Sequence, residues 1–207
     1  MRSYPTSDQV AAELGDKVME ALSLTVSMAK EDLLEYRRLR PAWVAAHSER
    51  GLAAWIHDRH WLHLAGLLSG ISGVAVHDAE PVRDVFIGVN YRLRVKRHHW
   101  DGRVSTYPTA AALDFMAQPC WQPTLNGMHE YHLIAGYSWD KEIRDITAPV
   151  LSMRDGLHRR TIWMIELPPP RNYGGTAPAS FPPSPGPSRP TIDTSRVPTE
   201  QTEEKPE

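Results

Sequence analysis

The residues of this chain with the most chemical potential crowd between positions 83 and 103. Arg83, Arg92, Arg94, Lys96, Arg97 and Arg103 are set there against only Asp84 and Asp101. Arg92, Arg94 and Lys96 occupy alternate positions. Alternate residues of a strand share one side, so the three cations would form a row at about 6.6–6.8 Å spacing. Arg97, His98, His99 and Arg103 extend the cluster around Asp101-Gly102, with Tyr91, Trp100 and Tyr107 interleaved. Such a two-stranded ribbon could enter a major groove or lie along phosphates, with Trp100 stacked on a base at its tip. The same charges also suit a protein partner, or simply protect an exposed strand from edge-to-edge pairing. Arg92, Arg94, Lys96, Arg97, His99, Trp100 and Arg103 are accordingly the expected nucleic-acid-binding residues.

Other constellations carry less. His57, His60 and His63 recur every third residue beside Asp58. Each helical step of three turns the face by about 60°, so neighbours could share a metal while the outer two diverge. Next to Trp61 and Leu64 they read as polar-face or core-edge residues. The pairs His98/His99 and His129/His132 differ in strand parity and would face opposite sides. Cys120 stands alone, which excludes an internal disulfide and a cysteine-based zinc site. No HExxH, GxSxG, GxGxxG or GxxxxGK[ST] occurs. Glu130 and Asp140 with Lys141 could build a metal-dependent nuclease only if the fold gathered them. The hydroxyl-rich Ser105-Thr106-Tyr107-Pro108-Thr109 leads into a helix, where it could hold an anion or simply cap. We expect no catalytic residue, cofactor or metal.

The elements that must position these residues follow from periodicity. Thr6 and Gln9 form a capping box, and Val10, Leu14, Val18, Leu22, Thr25, Met28 and Ala29 recur at helical spacing. Pro41 ends or kinks that helix. A second helix is predicted from about Ser48 to Leu68. Val74 and Val76 begin a strand, and the period-two run from Asp84 to Arg97 predicts a single half-buried strand with Arg103–Tyr107 as its return. A short helix follows at Ala110–Gln118, then strands at Tyr131–Trp139, Val150–Arg154 and Arg160–Leu167. The last is apolar on both parities and reads as central. Helices first and a meander afterwards predict an α+β domain over 1–167, helical over 7–69 and β-rich over 73–167. Its sheet is expected to be antiparallel with one inserted short helix.

Eleven of the 18 prolines lie from Pro168 onward, whereas every Trp and His precedes it. Residues 168–207 hold almost no large apolar side chains and are predicted to be a disordered, proline-rich tail. A net charge of −2 excludes a globally basic nucleic-acid binder and leaves a local basic face. MRSYPTSDQ lacks a signal-peptide core, and Leu64–Val76 is too short and too interrupted to span a bilayer, so a cytosolic protein without membrane contact is expected.

The stretch YRLRVKRHHWDGRVSTYPTAAALDFMAQ, followed by GYSWD and TIWMIELP, resembles bacterial proteins of unassigned function, some neighbouring mobile-element, repressor or metallopeptidase genes. The resemblance spans roughly residues 84–168 and contains no motif with a chemical role. It implies a regulatory or defence-linked accessory protein and no catalytic residue. Together these features predict a non-catalytic accessory protein that binds DNA or RNA through a basic β-hairpin. The alternatives are an antitoxin-like or defence-like protein with a protein partner encoded nearby, and a metal-dependent nuclease.

Overall fold

The computed structural model describes residues 4–79, 82–118, 130–156 and 160–171. They belong to a compact unit, Met1–Thr176. The expectations for Cys120, for His129 and for the tail beyond residue 171 lie outside the described residues.

Helix α1 (Ser7–Leu39) starts at the expected capping box: Gln9 N–H donates to Thr6 Oγ1 at 3.2 Å, and Thr6 N–H donates to Gln9 Oε1 at 2.9 Å. It bends at Gly15, whose φ of 76° lies in the left-handed region that glycine tolerates. Pro41 stops α1 and opens an additional short helix, α2 (Pro41–Ala46), because proline fits the first helical turn. Helix α3 (Glu49–Leu68) is capped by Ser48.

Among the described residues six strands follow: β1 (Val74–Ala79), β2 (Val82–Ile87), β3 (Tyr91–His98), β4 (Tyr131–Asp140), β5 (Asp145–Asp155) and β6 (Arg160–Glu166). Helix α4 (Ala110–Met116) is inserted between β3 and β4. The sheet order is β1-β2-β3-β4-β5-β6. The α+β architecture is therefore as expected, with helices first and one short helix interrupting the sheet. Every neighbouring pair is antiparallel except β3–β4, which is parallel. Helix α4 stands in the chain between these two parallel strands, and the sheet is mixed.

Three local expectations change. The predicted strand from Asp84 to Arg97 is a hairpin, β2 and β3, turning at Gly88 with φ 58°. Ile87 pairs with Tyr91 and Val85 with Leu93, so residues four or eight apart face each other across the turn and share a side. Period-two alternation therefore passes through the turn unbroken. Secondly, Arg103–Tyr107 forms no return strand. Gly102 makes the tight turn with φ 75°, but pairing is limited to one bridge, His98 with Val104, on the part of β3 that β2 does not reach. Thirdly, β6 is an edge strand. Its mixed apolar pattern reflects contacts such as Trp163 donating to the Pro5 carbonyl rather than burial between two strands.

One sheet face packs on the helices. Val10, Leu14, Val18 and Leu22 of α1 and Leu64 and Leu68 of α3 meet Val85, Leu93, Val95, Leu133 and Leu151. A second cluster joins Val26, Leu33, Leu52 and Ile56 to Tyr137, Trp139 and Ile146. The opposite face carries Asp84, Arg92, Arg94, Lys96, His98 and His132, partly covered by α4.

Candidate functional site

The alternation of β3 does place Arg92, Arg94 and Lys96 on one side, but their charges are not equally available. Asp84, almost fully buried, receives Arg92 Nη2 at 2.6 Å and Arg94 Nε at 2.6 Å. Arg94 also donates to the Ala111 carbonyl of α4 at 3.1 Å. Both guanidiniums lie over Phe115 of α4, at 5.9 and 4.2 Å from the ring centroid. Burial opposes the charge of Asp84. The hydrogen bonds from Arg94 and Arg92 outweigh it and hold the carboxyl below its ordinary range. Arg92 and Arg94 thus fasten α4 to the sheet.

The remaining expected residues separate. Arg97 falls on the helix-facing side, 3.5 Å from Glu49 and over Trp139, so it leaves the row. His99 Nε2 lies 2.9 Å from Ser105 Oγ. Arg103 is exposed and pairs with Asp101 within its own turn. Trp100 is 88% exposed at the tip.

Lys96 is different. It is half-buried, and among the described residues it has no ion pair. Burial, and then the neighbouring Arg94 guanidinium, hold its ammonium below the ordinary lysine range. Its partner on β4 is Gly136, so no β4 side chain stands opposite it. Lys96 lines a cleft of about 380 Å³ with Arg83, Arg94, His57, Thr106, Tyr107 and Thr109. Arg83 is already paired with Asp58 at 2.6 Å and Asp78 at 3.1 Å. Burial and then the charges of Lys96 and Arg83 lower the pKa of His57, which favours its neutral form. Chemically, the cleft can take one anionic group. Tyr107 at its rim is 82% exposed. The hydroxyl-rich segment contributes through its side chains, not through the helix start. Thr109 Oγ1 accepts from Ala112 N–H at 3.2 Å and caps α4 itself.

Several positions that build this site gave no motif in the sequence. Gly136 allows β4 to approach β3, since a Cβ there would meet the Lys96 carbonyl oxygen at 1.8 Å. Gln118 uses its side-chain amide as a substitute peptide between β4 and β5. It accepts from His132 N–H and donates to the carbonyls of His132 and Arg154. Arg154 ties the turn to the sheet by donating to the Gly102 carbonyl and to Thr161 Oγ1. Glycine in a strand and a glutamine after a helix were the only signals available.

The histidine triplet does not converge. His60 Nε2 lies 3.0 Å from Thr25 Oγ1 in the interior, and burial pushes its pKa down to about 3. His63 meets Asp32 at 2.7 Å, while His57 looks into the cleft. Glu130 lies at the start of β4, contacting His132 and Arg92, whereas Asp140 ends that strand and accepts from the turn amides of Glu142 and Ile143. Ten residues of strand separate them by roughly 30 Å, so they cannot share a metal. Among the described residues, no group of three or more His, Cys, Asp and Glu is placed to hold one.

No helix among the described residues is long and apolar enough to cross a membrane. No family model, curated protein or solved structure matches this chain.

Proposed function

We propose that this chain is a non-catalytic accessory protein that binds nucleic acid, and that it does so at the Lys96 cleft instead of along a free basic hairpin. The observation that carries this reading is a half-buried ammonium without a carboxylate among the described residues, in a concave site rimmed by an exposed tyrosine. Withdrawing a cation from water without a partner is costly, and a phosphate entering the cleft supplies the missing charge. Trp100 and Tyr107 offer aromatic faces on which bases stack.

Fluorescence anisotropy with a labelled oligonucleotide at low salt tests the assignment. Wild-type protein is expected to bind, and Lys96→Gln to lose roughly tenfold or more in affinity, the scale of a charge-assisted contact. Lys141→Gln, on the exposed β4–β5 turn, serves as the control and should bind as wild type does. Undiminished binding by Lys96→Gln sinks the assignment.

A second reading, a protein partner, draws on the exposure of Trp100, Tyr107 and Leu113, since aromatic residues are enriched at interfaces. Affinity purification from the native host, with both protein and nucleic acid analysed, separates the two readings.

A further inference from the structure

We propose that the cleft takes one unpaired nucleotide of a single strand, with its phosphate against Lys96 and its base against Tyr107. This rests on the nucleic-acid reading above and narrows it to a form of ligand.

Three observations converge. Lys96 is recessed: it rises from the sheet, with the segment around Thr106–Ala112 forming a wall, in a space of about 380 Å³. That is the lower end of the roughly 300–1,000 Å³ typical of small-ligand pockets. Reaching a sunken cation requires a group that can leave its neighbours and enter. An unpaired nucleotide does this by rotating about its backbone, whereas a duplex phosphate is held on a convex cylinder.

The charge count points the same way. Arg83 and Arg94 also line the cleft, but carboxylates already hold them: Asp58 and Asp78 for Arg83, and Asp84, shared with Arg92, for Arg94. Lys96 is the lining cation without a carboxylate among the described residues, which suits a single phosphate and gives no track for a double backbone.

Tyr107 supplies the third observation. Its ring is left in water, yet the backbone around it is fixed. Ser105 N–H donates to the Arg97 carbonyl at 2.9 Å, Thr109 N–H to the Tyr107 carbonyl at 2.8 Å, and Pro108 restricts the next φ. A ring on so rigid a stem loses little freedom when it stacks. The base faces inside a duplex are covered by their neighbours, whereas those of an unpaired strand are open.

The test is anisotropy with wild-type protein and four labelled probes of about 12 nucleotides. These are single-stranded DNA, the same sequence in RNA, the DNA duplex, and a DNA strand with abasic sites. Both unpaired strands are expected to bind at least about tenfold tighter than the duplex. The abasic strand should lose roughly 5- to 100-fold, the worth of one stacked base. Tyr107→Ala should lose a similar factor on the intact strand and nothing further on the abasic one, with an unchanged melting midpoint showing that it is folded. A duplex that binds as tightly as the single strand overturns the unpaired-nucleotide assignment while leaving nucleic-acid binding in place. Abasic and intact strands bound alike overturn the stacking role of Tyr107. No binding to any probe overturns the nucleic-acid reading itself.

Discussion

Asp84 decides how much of the basic strand a ligand can use. It is 1% exposed and holds two guanidiniums that remain partly in solvent. Replacing it by Asn leaves Arg92 and Arg94 without their counter-charge beneath α4. The expected loss is about 3 kcal/mol, towards the low end for a broken buried pair because the arginines keep some water. Chemical denaturation measures it, and the same variant should bind nucleic acid no more weakly than wild type. A second residue-scale effect concerns acid. Burial lowers His60 to about 3 and His98 to about 4, from an ordinary 6.5. Below 6.5 the unfolded chain therefore takes up protons that the folded chain refuses. Their contribution to stability is complete above about pH 6.5 and is lost as pH falls towards those lowered values. The fall in melting midpoint from pH 7 to pH 5 should shrink in His60→Gln. An equal fall in both proteins would assign it to other groups. At this scale the sequence was partly legible: alternation put Arg92, Arg94 and Lys96 on one side. The engagement of Arg92 and Arg94 by Asp84 and Phe115 was hidden, because one partner lies across a turn and the other within the crossover.

At the scale of elements, β3 and β4 approach closely beside Lys96 because residue 136 is glycine. A Cβ on residue 136 would stand 1.8 Å from the Lys96 oxygen and 2.9 Å from its carbonyl carbon. Backbone on both sides cannot yield cheaply, so Gly136→Ala should separate the strands and cost several kcal/mol. The observable is the denaturation midpoint with far-ultraviolet circular dichroism, and a wild-type midpoint would contradict the close approach. Helix boundaries were readable from local chemistry: Thr6, Ser48 and Thr109 cap the helices through their own side chains. Strand pairing was not. Alternation reports which side a residue faces and carries nothing about which strand lies beside it. The β2–β3 turn therefore vanished into one long run, and the parallel β3–β4 pair, which depends on a crossover of 32 residues between His98 and Tyr131, left no local trace.

Across the whole molecule, a net charge of −2 is compatible with a local cationic site because the folded unit spends most of its cations internally. Arg37 reaches Asp145, Arg59 reaches Asp32, Arg83 reaches Asp58, and Arg92 and Arg94 share Asp84. They join helix to helix, helix to sheet, and β3 to β2. Of the six cations along residues 83–103, Lys96 alone lacks a carboxylate among the described residues, while Arg97 pairs with Glu49 and the exposed Arg103 with Asp101 in its own turn. Salt dependence counts such contacts directly, since each phosphate neutralised contributes roughly 0.7–0.9 to the slope of log affinity against log salt. The decisive measurement is this slope between about 50 and 200 mM salt, for wild-type protein and Lys96→Gln on one single-stranded probe. A wild-type slope of about −1 to −2, shallower by roughly one contact in the variant, is the expected result. A slope near −4 or steeper, or one that Lys96→Gln leaves unchanged, would mean that the arginine row meets the ligand after all and would contradict the account.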